Sequence, residues 1–488
     1  MVFQKKSLLL FSPVCIVVLI VILIFSYCNS PFYHEPSAGD SAMFMLIGKY
    51  WSEGFLPYVS FWDSKGPIIF FINAIGNFKL FGISGIFIIQ VIALLISAWL
   101  MLKWLSHEIQ SKILSVFAVC IVILSMCMIY NGGNTVEEYL TPLLVFAFYL
   151  VFKWTRGVET GKFEHPAQYA FVYGLVFAFS LWSRLTNAVG MGMAVLFIVG
   201  WLMCKGLWKN LLACAVSFIS GFVLLSLPIV VYFHSEGILD EMWYGTFLYN
   251  LDYAATSDSS ASSLRDLAGI IGKFGNAIIL LFTAVIMLLC SKKRRVFSLM
   301  WMMVACGTLY WLMKGNGYGH YAIIALPYPC ISLLELYLLY KEHQKVVFKH
   351  IGIIVSTLYA LLVVAGIFHG AKLINLYKNN EQLATFREIV KQLPEDYKKS
   401  FLAYNCPPDI YIYENIKPAC RFFTMQDWEV HCSSTLEPKM NVALEESKPE
   451  WIVLGGVGSQ RIIDFLGRNY QIYGKAVEKY TIYHLQCK

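Results

Sequence analysis

Eleven blocks of this chain are apolar over lengths close to what a helix needs to cross a lipid bilayer, and that pattern limits the fold more than any motif does. A hydrocarbon core about 30 Å thick takes roughly 20 residues of helix, because each residue advances the axis by about 1.5 Å. The blocks lie at about Leu8–Tyr27, Ile83–Leu105, Ile113–Tyr130, Tyr139–Lys153, Gln168–Trp182, Ala188–Cys204, Leu211–Phe233, Ile270–Cys290, Phe297–Met313, Tyr321–Tyr340 and Ile351–His369. Charged residues make up 14% of the chain, where a soluble domain carries roughly 25%. Mean hydropathy is +0.60. The expected fold class is therefore an α-helical polytopic membrane protein with about eleven transmembrane helices. The first block is too long for a removable signal peptide and lacks a small-residue cleavage site, so it reads as an uncleaved anchor.

Lysine and arginine set the orientation, since short loops rich in them stay cytoplasmic. Alternate loops carry Lys5 and Lys6; Lys103 and Lys112; Lys153, Arg156 and Lys162; Lys205 and Lys209; Lys292, Lys293, Arg294 and Arg295; and Lys341, Lys345 and Lys349. The other loops are poor in cations: Asn131–Glu138 has none, Arg184 stands alone, and Glu236–Asp266 is acidic apart from Arg265. The N-terminus is then cytoplasmic, while the first loop (28–82) and the C-terminal segment face outward, which in a bacterial inner membrane is the periplasm. Counting the short apolar run Pro67–Phe81 as a span would invert every later loop against the charge rule. It is placed instead as an amphipathic or re-entrant element at the outer interface.

After about Gly370 the composition changes, dividing the chain into a transmembrane domain (1–370) and an external domain (371–488). The second part carries positive and negative charges in near balance and has no further spanning block. Its length is enough to bury a core of its own. Short β-type runs at Phe401–Tyr404, Ile410–Tyr413, Trp451–Leu454 and Tyr480–Leu485 alternate with helical patterns at Glu381–Leu393 and Arg461–Leu466, which implies a small periplasmic α/β domain. Cys406, Cys420, Cys432 and Cys487 fall there, and an oxidising compartment would let them form one or two disulfides. No CxxC metal spacing and no glycine-rich nucleotide loop after a strand occurs, which disfavours an ATP-driven or nucleotide-sugar-dependent machine.

The residues able to do chemistry gather on the outer side. Asp40 follows Gly39 and precedes an apolar helical run, so its carboxylate sits at a helix N-terminus, where negative charge is favoured. It can act as a general base toward an acceptor hydroxyl, although a solvated helix-capping aspartate gives the same pattern. Asp63 and Lys65, in FWDSKGP, are either an exposed ion pair of little energetic weight or a carboxylate and a compact cation suited to a phosphate. Glu137 and Glu138 open the fourth span, where first-turn acids are ordinary, but adjacent helical residues point about 100° apart, so one of them can face a cavity. Arg184 ends the fifth span, as snorkelling arginines do. Lys314, His320 and Tyr321 lie in the glycine-rich run KGNGYGHYAIIALPYP before the tenth.

An early acid in the first outer loop, followed by GFLPYVSFWDSKGPIIFFINAIG, resembles the GT-C superfamily of integral-membrane glycosyltransferases. The nearest group is the bacterial set similar to protein mannosyltransferases and to the lipid A aminoarabinose transferase. EEYLTPLL, WSRLTN and GHYAIIALP extend the resemblance over roughly the first 340 residues. It implies transfer of a sugar from a polyprenyl-phosphate donor to a hydroxyl of a glycan, lipid or protein acceptor, usually with inversion. It also implies that Asp40 is the catalytic acid residue of the first loop. Asp63 and Lys65 would form the acid-lysine turn near the donor phosphate, and Glu137 or Glu138 the second acidic position. Lys65, Arg184, Lys314, His320 and Tyr321 would then serve the phosphate. The fifth-span cation is Arg where Lys is usual, and a single Asp replaces the paired acids of some branches, so no resident metal or other cofactor is expected. Two other classes fit a polytopic chain: a membrane ligase or polymerase of lipid-linked polysaccharide, and a lipid or sugar transporter. The former would carry an arginine-rich late outer loop, and the latter ionisable groups near mid-span. Neither feature is present.

Overall fold

The computed structural model describes residues 5–35, 39–77, 83–130, 132–256, 267–314, 318–344, 346–377 and 380–486. Phe81, Asn131, Arg265, Lys345, Cys487 and Lys488 lie outside them. In chain order the helices are α1 (Lys5–Phe25), α2 (Asp40–Ser52), α3 (Pro67–Gly76), α4 (Ile83–Ile109), α5 (Lys112–Ser125), α6 (Val136–Glu159), α7 (Ala167–Leu181), α8 (Val189–Cys204), α9 (Trp208–Ser235), α10 (Leu239–Trp243) and α11 (Tyr249–Thr256). They continue with α12 (Leu267–Cys290), α13 (Arg295–Lys314), α14 (Tyr328–His343), α15 (Val346–Tyr377), α16 (Glu381–Val390), α17 (Asp409–Tyr413), α18 (Gln426–Cys432), α19 (Leu436–Ser447) and α20 (Gln460–Asn469). Four strands follow the same numbering: β1 (Phe401–Tyr404), β2 (Trp451–Gly455), β3 (Tyr470–Val477) and β4 (Tyr480–Leu485).

A helix occupies each of the eleven apolar blocks. Among the described residues six of these helices are long and apolar enough to cross a membrane by length and composition, or seven if the bent pair Gly319–Ala325 and Tyr328–His343 is one span. The protein is an integral membrane protein, and its count of spans is six or more. The run after Pro67 is a ten-residue helix, far short of a span.

By internal contacts the chain forms two units. The first comprises Met1–Ser26, Phe87–Val230 and Ser259–Asn375, and the second comprises Tyr27–Ile86, Val231–Asp258 and Leu376–Lys488. The first unit is a helical bundle with one continuous apolar core, running from Val14 on α1 through Leu144 and Phe148 on α6 to Trp301 on α13 and Leu334 on α14. Its least expected member is Arg294, which is buried rather than a free loop cation. It bonds Glu335 through two nitrogens at 2.6 Å, and also Glu159 and the Thr155 hydroxyl. A buried charge is tolerated only when its donors are satisfied in this way.

The second unit is built on a four-stranded sheet in the order β1-β2-β4-β3, with β1 and β2 parallel and the remaining pairs antiparallel. Its core joins residues from three separated stretches of chain: Trp62, Tyr249, and Leu402, Tyr404, Phe422, Ile452 and Leu454. Burying a large apolar side chain contributes on the order of 2 kcal/mol, so Trp62 and Tyr249 are substantial parts of this core. The β-type run Ile410–Tyr413 is a correction: it is helical. Pro407 and Pro408 precede it and cannot extend a ladder, and packing outweighs the β preference of Ile and Tyr, with the Tyr411 hydroxyl accepting the Ala403 N–H at 2.8 Å. Strand β3 and helices α18 and α19 carry no counterpart in the sequence reading. Cys406 and Cys420 are free thiols.

Candidate functional site

Asp40 is the first residue of α2, and Gly39 before it has φ +48, a conformation suited to glycine. The carboxylate is exposed at the positive end of the helix, while Ser41 to Gly48 behind it are buried. Helix α2 packs tightly on α3: a Cβ at Gly48 would lie 2.5 Å from the Asn73 Cβ, so only glycine permits this approach. The two helices thereby fix the chain on either side of the Trp62-Asp63-Ser64-Lys65-Gly66-Pro67 turn.

That turn is held by hydrogen bonds at several of its backbone groups. The Trp62 amide donates to the Arg421 carbonyl at 2.9 Å. The Lys65 amide donates to Asp63 Oδ1 at 2.8 Å, the Tyr58 hydroxyl to the Lys65 carbonyl at 2.8 Å, and Asn250 Nδ2 to the Ser64 carbonyl at 2.7 Å. Tyr58 also meets the Thr246 hydroxyl at 3.3 Å. Pro67 then begins α3 at a position that needs no amide hydrogen. Asp63 is only 4% exposed, which removes the surface ion pair as an account of it. Burial pushes its carboxyl above the usual carboxylate range against the opposing pull of Lys65 and of the Lys65 and Ser64 amides, and the Asp40 charge pushes the same way as burial. Asp40 and Lys65 are thus both within electrostatic reach of Asp63.

A fourth charged group joins them that no motif marked. Glu429, on α18, is 7% exposed. The Tyr249 hydroxyl donates to its backbone carbonyl at 3.3 Å and lies by its carboxyl, and the Tyr249 ring packs edge-on against Trp62 with centroids 4.9 Å apart. Burial raises this carboxyl to about 8; Asp63 and Asp40 add to the rise, and Tyr249 and Lys65 oppose it. Its sequence signal is slight: one of two acids, with Asp427, in a seven-residue helix that also carries Trp428, Val430 and Cys432.

In the first unit, Glu137, Arg184, His320 and Tyr321 come together. Glu137 is 1% exposed, and Arg184 Nη1 lies 3.6 Å from its Oε1. The Arg184 guanidinium carbon stands 3.2 Å over the Tyr321 ring centre, and the rings of His320 and Tyr321 meet edge-on at 4.5 Å. Glu138 points elsewhere. Its Oε1 accepts the Thr135 amide and hydroxyl at 3.3 and 3.2 Å, and its Oε2 accepts Tyr130 and Gln90 at 2.8 Å each. This is the capping of a helix start, tied to two buried neighbours. Lys314 is exposed at the end of α13, with Nζ 5.9 Å from the Tyr310 ring.

No family profile matches the chain, and no curated protein matches its sequence. Its structure does have counterparts. A crystal structure of ArnT from Cupriavidus metallidurans bound to undecaprenyl phosphate aligns over 98% of both chains, with a TM-score of 0.56 at 14% sequence identity. The same enzyme in the apo state aligns over 97% of both chains, with a TM-score of 0.53 at 12% identity. At such identities the agreement is one of architecture, and it extends to the C-terminal part that the motif resemblance left loosely matched. The chain therefore has an ArnT-like fold, an apolar helical membrane part with a small C-terminal α/β sheet.

Proposed function

We propose that this protein is a glycosyltransferase that moves a sugar from a polyprenyl-phosphate donor to an acceptor hydroxyl on the periplasmic side of the bacterial inner membrane, with inversion. The observation that supports this most is the clustering of Asp40, Asp63 and Lys65 in a turn fixed by buried hydrogen bonds. The fold is that of an enzyme captured with undecaprenyl phosphate. The distribution of Lys and Arg among the loops supports an outward-facing first loop.

In the proposed reaction the acceptor oxygen forms a bond to the anomeric carbon while the bond from that carbon to the phosphate oxygen breaks. The acceptor proton passes to Asp40, and the electron pair leaves on polyprenyl phosphate. Asp40 suits the base role because it is exposed and sits at a helix N-terminus. Lys65 stabilises charge growing on the leaving phosphate, a contribution that increases toward the transition state. Asp63 positions Lys65 by accepting its amide and by its charge. Arg184, with Lys314, His320 and Tyr321, keeps the phosphate-binding role implied by the resemblance, to be tested one residue at a time. Glu137 is proposed as the second acid in preference to Glu138, whose oxygens are occupied by protein donors. The scheme calls on no resident metal or cofactor.

The test is transfer of labelled sugar from a panel of polyprenyl-phosphate sugars by the purified protein in lipid. Wild type should transfer at least one sugar, with chelator present, and Asp40→Asn should lower kcat by about 10²–10⁴ while expression is unchanged. Full turnover by Asp40→Asn would remove Asp40 from the base role, and no transfer of any sugar by the wild type would sink the reading.

A further inference from the structure

Two carboxyl groups reach the Asp63-Ser64-Lys65 turn from distant parts of the sequence, Asp63 from the turn itself and Glu429 from α18. Both are more than nine-tenths buried, and each has an oxygen, Asp63 Oδ2 and Glu429 Oε2, that no hydrogen-bond donor among the described residues reaches. A buried acceptor left in this condition is uncommon in folded proteins, because nothing replaces the water it lost. Within a charged cluster, such atoms are where a ligand's donors go. The groups acting on the Glu429 carboxyl are Tyr249 from α11, Asp63 and Lys65 from the turn and Asp40 from α2. A phosphate brings acceptors and negative charge, and is the wrong partner for two carboxyls. A sugar brings several hydroxyl donors on one rigid ring.

We propose that Glu429 is a sugar-binding residue, which with Asp63 takes hydrogen bonds from hydroxyl or amino groups of the transferred sugar beside the lysine that meets its phosphate. This rests on the glycosyltransferase reading. The raised titration of Glu429 fits the role, since a neutral carboxyl carries one donor and one acceptor and can meet two sugar groups. A site built to bond a hydroxyl also discriminates strongly against a ligand that lacks it. Glu429 thereby makes the C-terminal segment a determinant of which sugar is accepted.

The experiment compares binding of bare undecaprenyl phosphate with that of undecaprenyl-phosphate mannose, glucose, galactose and aminoarabinose, using the full-length protein in nanodiscs. Wild type should bind at least one sugar-bearing lipid more tightly than the bare lipid. Glu429→Leu should erase that preference, a loss of about tenfold or more, with affinity for undecaprenyl phosphate within twofold of wild type. Glu429→Gln, which keeps a donor and an acceptor, should retain most of the preference. Preserved preference in Glu429→Leu, parallel loss of both affinities, or no preference in the wild type would each overturn the assignment. Wild type that binds neither kind of lipid would instead overturn the donor reading on which it stands.

Discussion

Asp40 and Asp63 lie in the same loop, yet the chain gives them opposite surroundings: one exposed at a helix end, the other 4% exposed beneath a turn. Carboxyls placed in such different environments can take different tasks in one reaction. Lys65, the cation beside them, is the natural point to separate lipid binding from chemistry. Lys65→Ala should weaken binding of undecaprenyl phosphate by about ten- to a hundredfold, as loss of a charge-assisted hydrogen bond of roughly 1.5–3 kcal/mol would, and equal affinity in a direct titration would remove it from the phosphate. The Glu429 carboxyl makes a prediction about stability. Its ordinary value of 4.5 in the unfolded chain rises to about 8 in the folded protein, so the folded state holds the proton more tightly. Its contribution is then fully present below about pH 4.5 and is lost as pH climbs to 8, at about 1.4 kcal/mol per unit. Thermal midpoints of detergent-solubilised protein should fall over that window, and Glu429→Gln should remove part of the fall. Asp63 acts in the same direction, so some slope remains in the variant. Asp40, Asp63 and Lys65 were legible in sequence because local motifs place them. Glu429 was not, since only the folded contact of α18 with Tyr249 and the Trp62 turn gives it meaning.

At the scale of elements, legibility followed length. The long apolar blocks became helices because twenty apolar residues in a row satisfy their own backbone only in that form. The short elements of the C-terminal part were harder: β1, β2 and β4 were visible as β-branched and aromatic runs, whereas α17 overrode its β preference and β3, exposed along most of its length and interrupted by Gly474, offered no unbroken run. The α2–α3 pair is the element on which the candidate site depends most directly. Gly48→Leu would drive a side chain into Asn73 and the Ala74 backbone, whose nitrogen already lies 2.7 Å from the position of a Cβ. We expect destabilisation of about 1–3 kcal/mol or more, seen as a lower thermal midpoint together with reduced transfer. A variant with an unchanged midpoint would show that the helices can separate without cost.

At the scale of the whole molecule, the second unit is not the C-terminal segment alone. Trp62 and Tyr249 share its apolar core, and Arg387 pairs with Glu35 across 352 residues of sequence. A fragment of residues 376–488 expressed by itself lacks Glu35, Trp62 and Tyr249. It should therefore be poorly soluble or melt without cooperativity, and a sharp thermal transition in the isolated fragment would show that the sheet and its helices suffice. Composition could not reveal this arrangement, because it records where charge and apolarity change along the chain and not which distant stretches meet. The ribosome reaches Arg387 only after every helix of the first unit has been made, so Glu35 and the Trp62 turn must wait through all of that synthesis for the partners that complete their packing. Protein truncated before Arg421 would sit in the bilayer with the turn at Trp62 unfinished, since the carbonyl that receives the Trp62 amide would be missing.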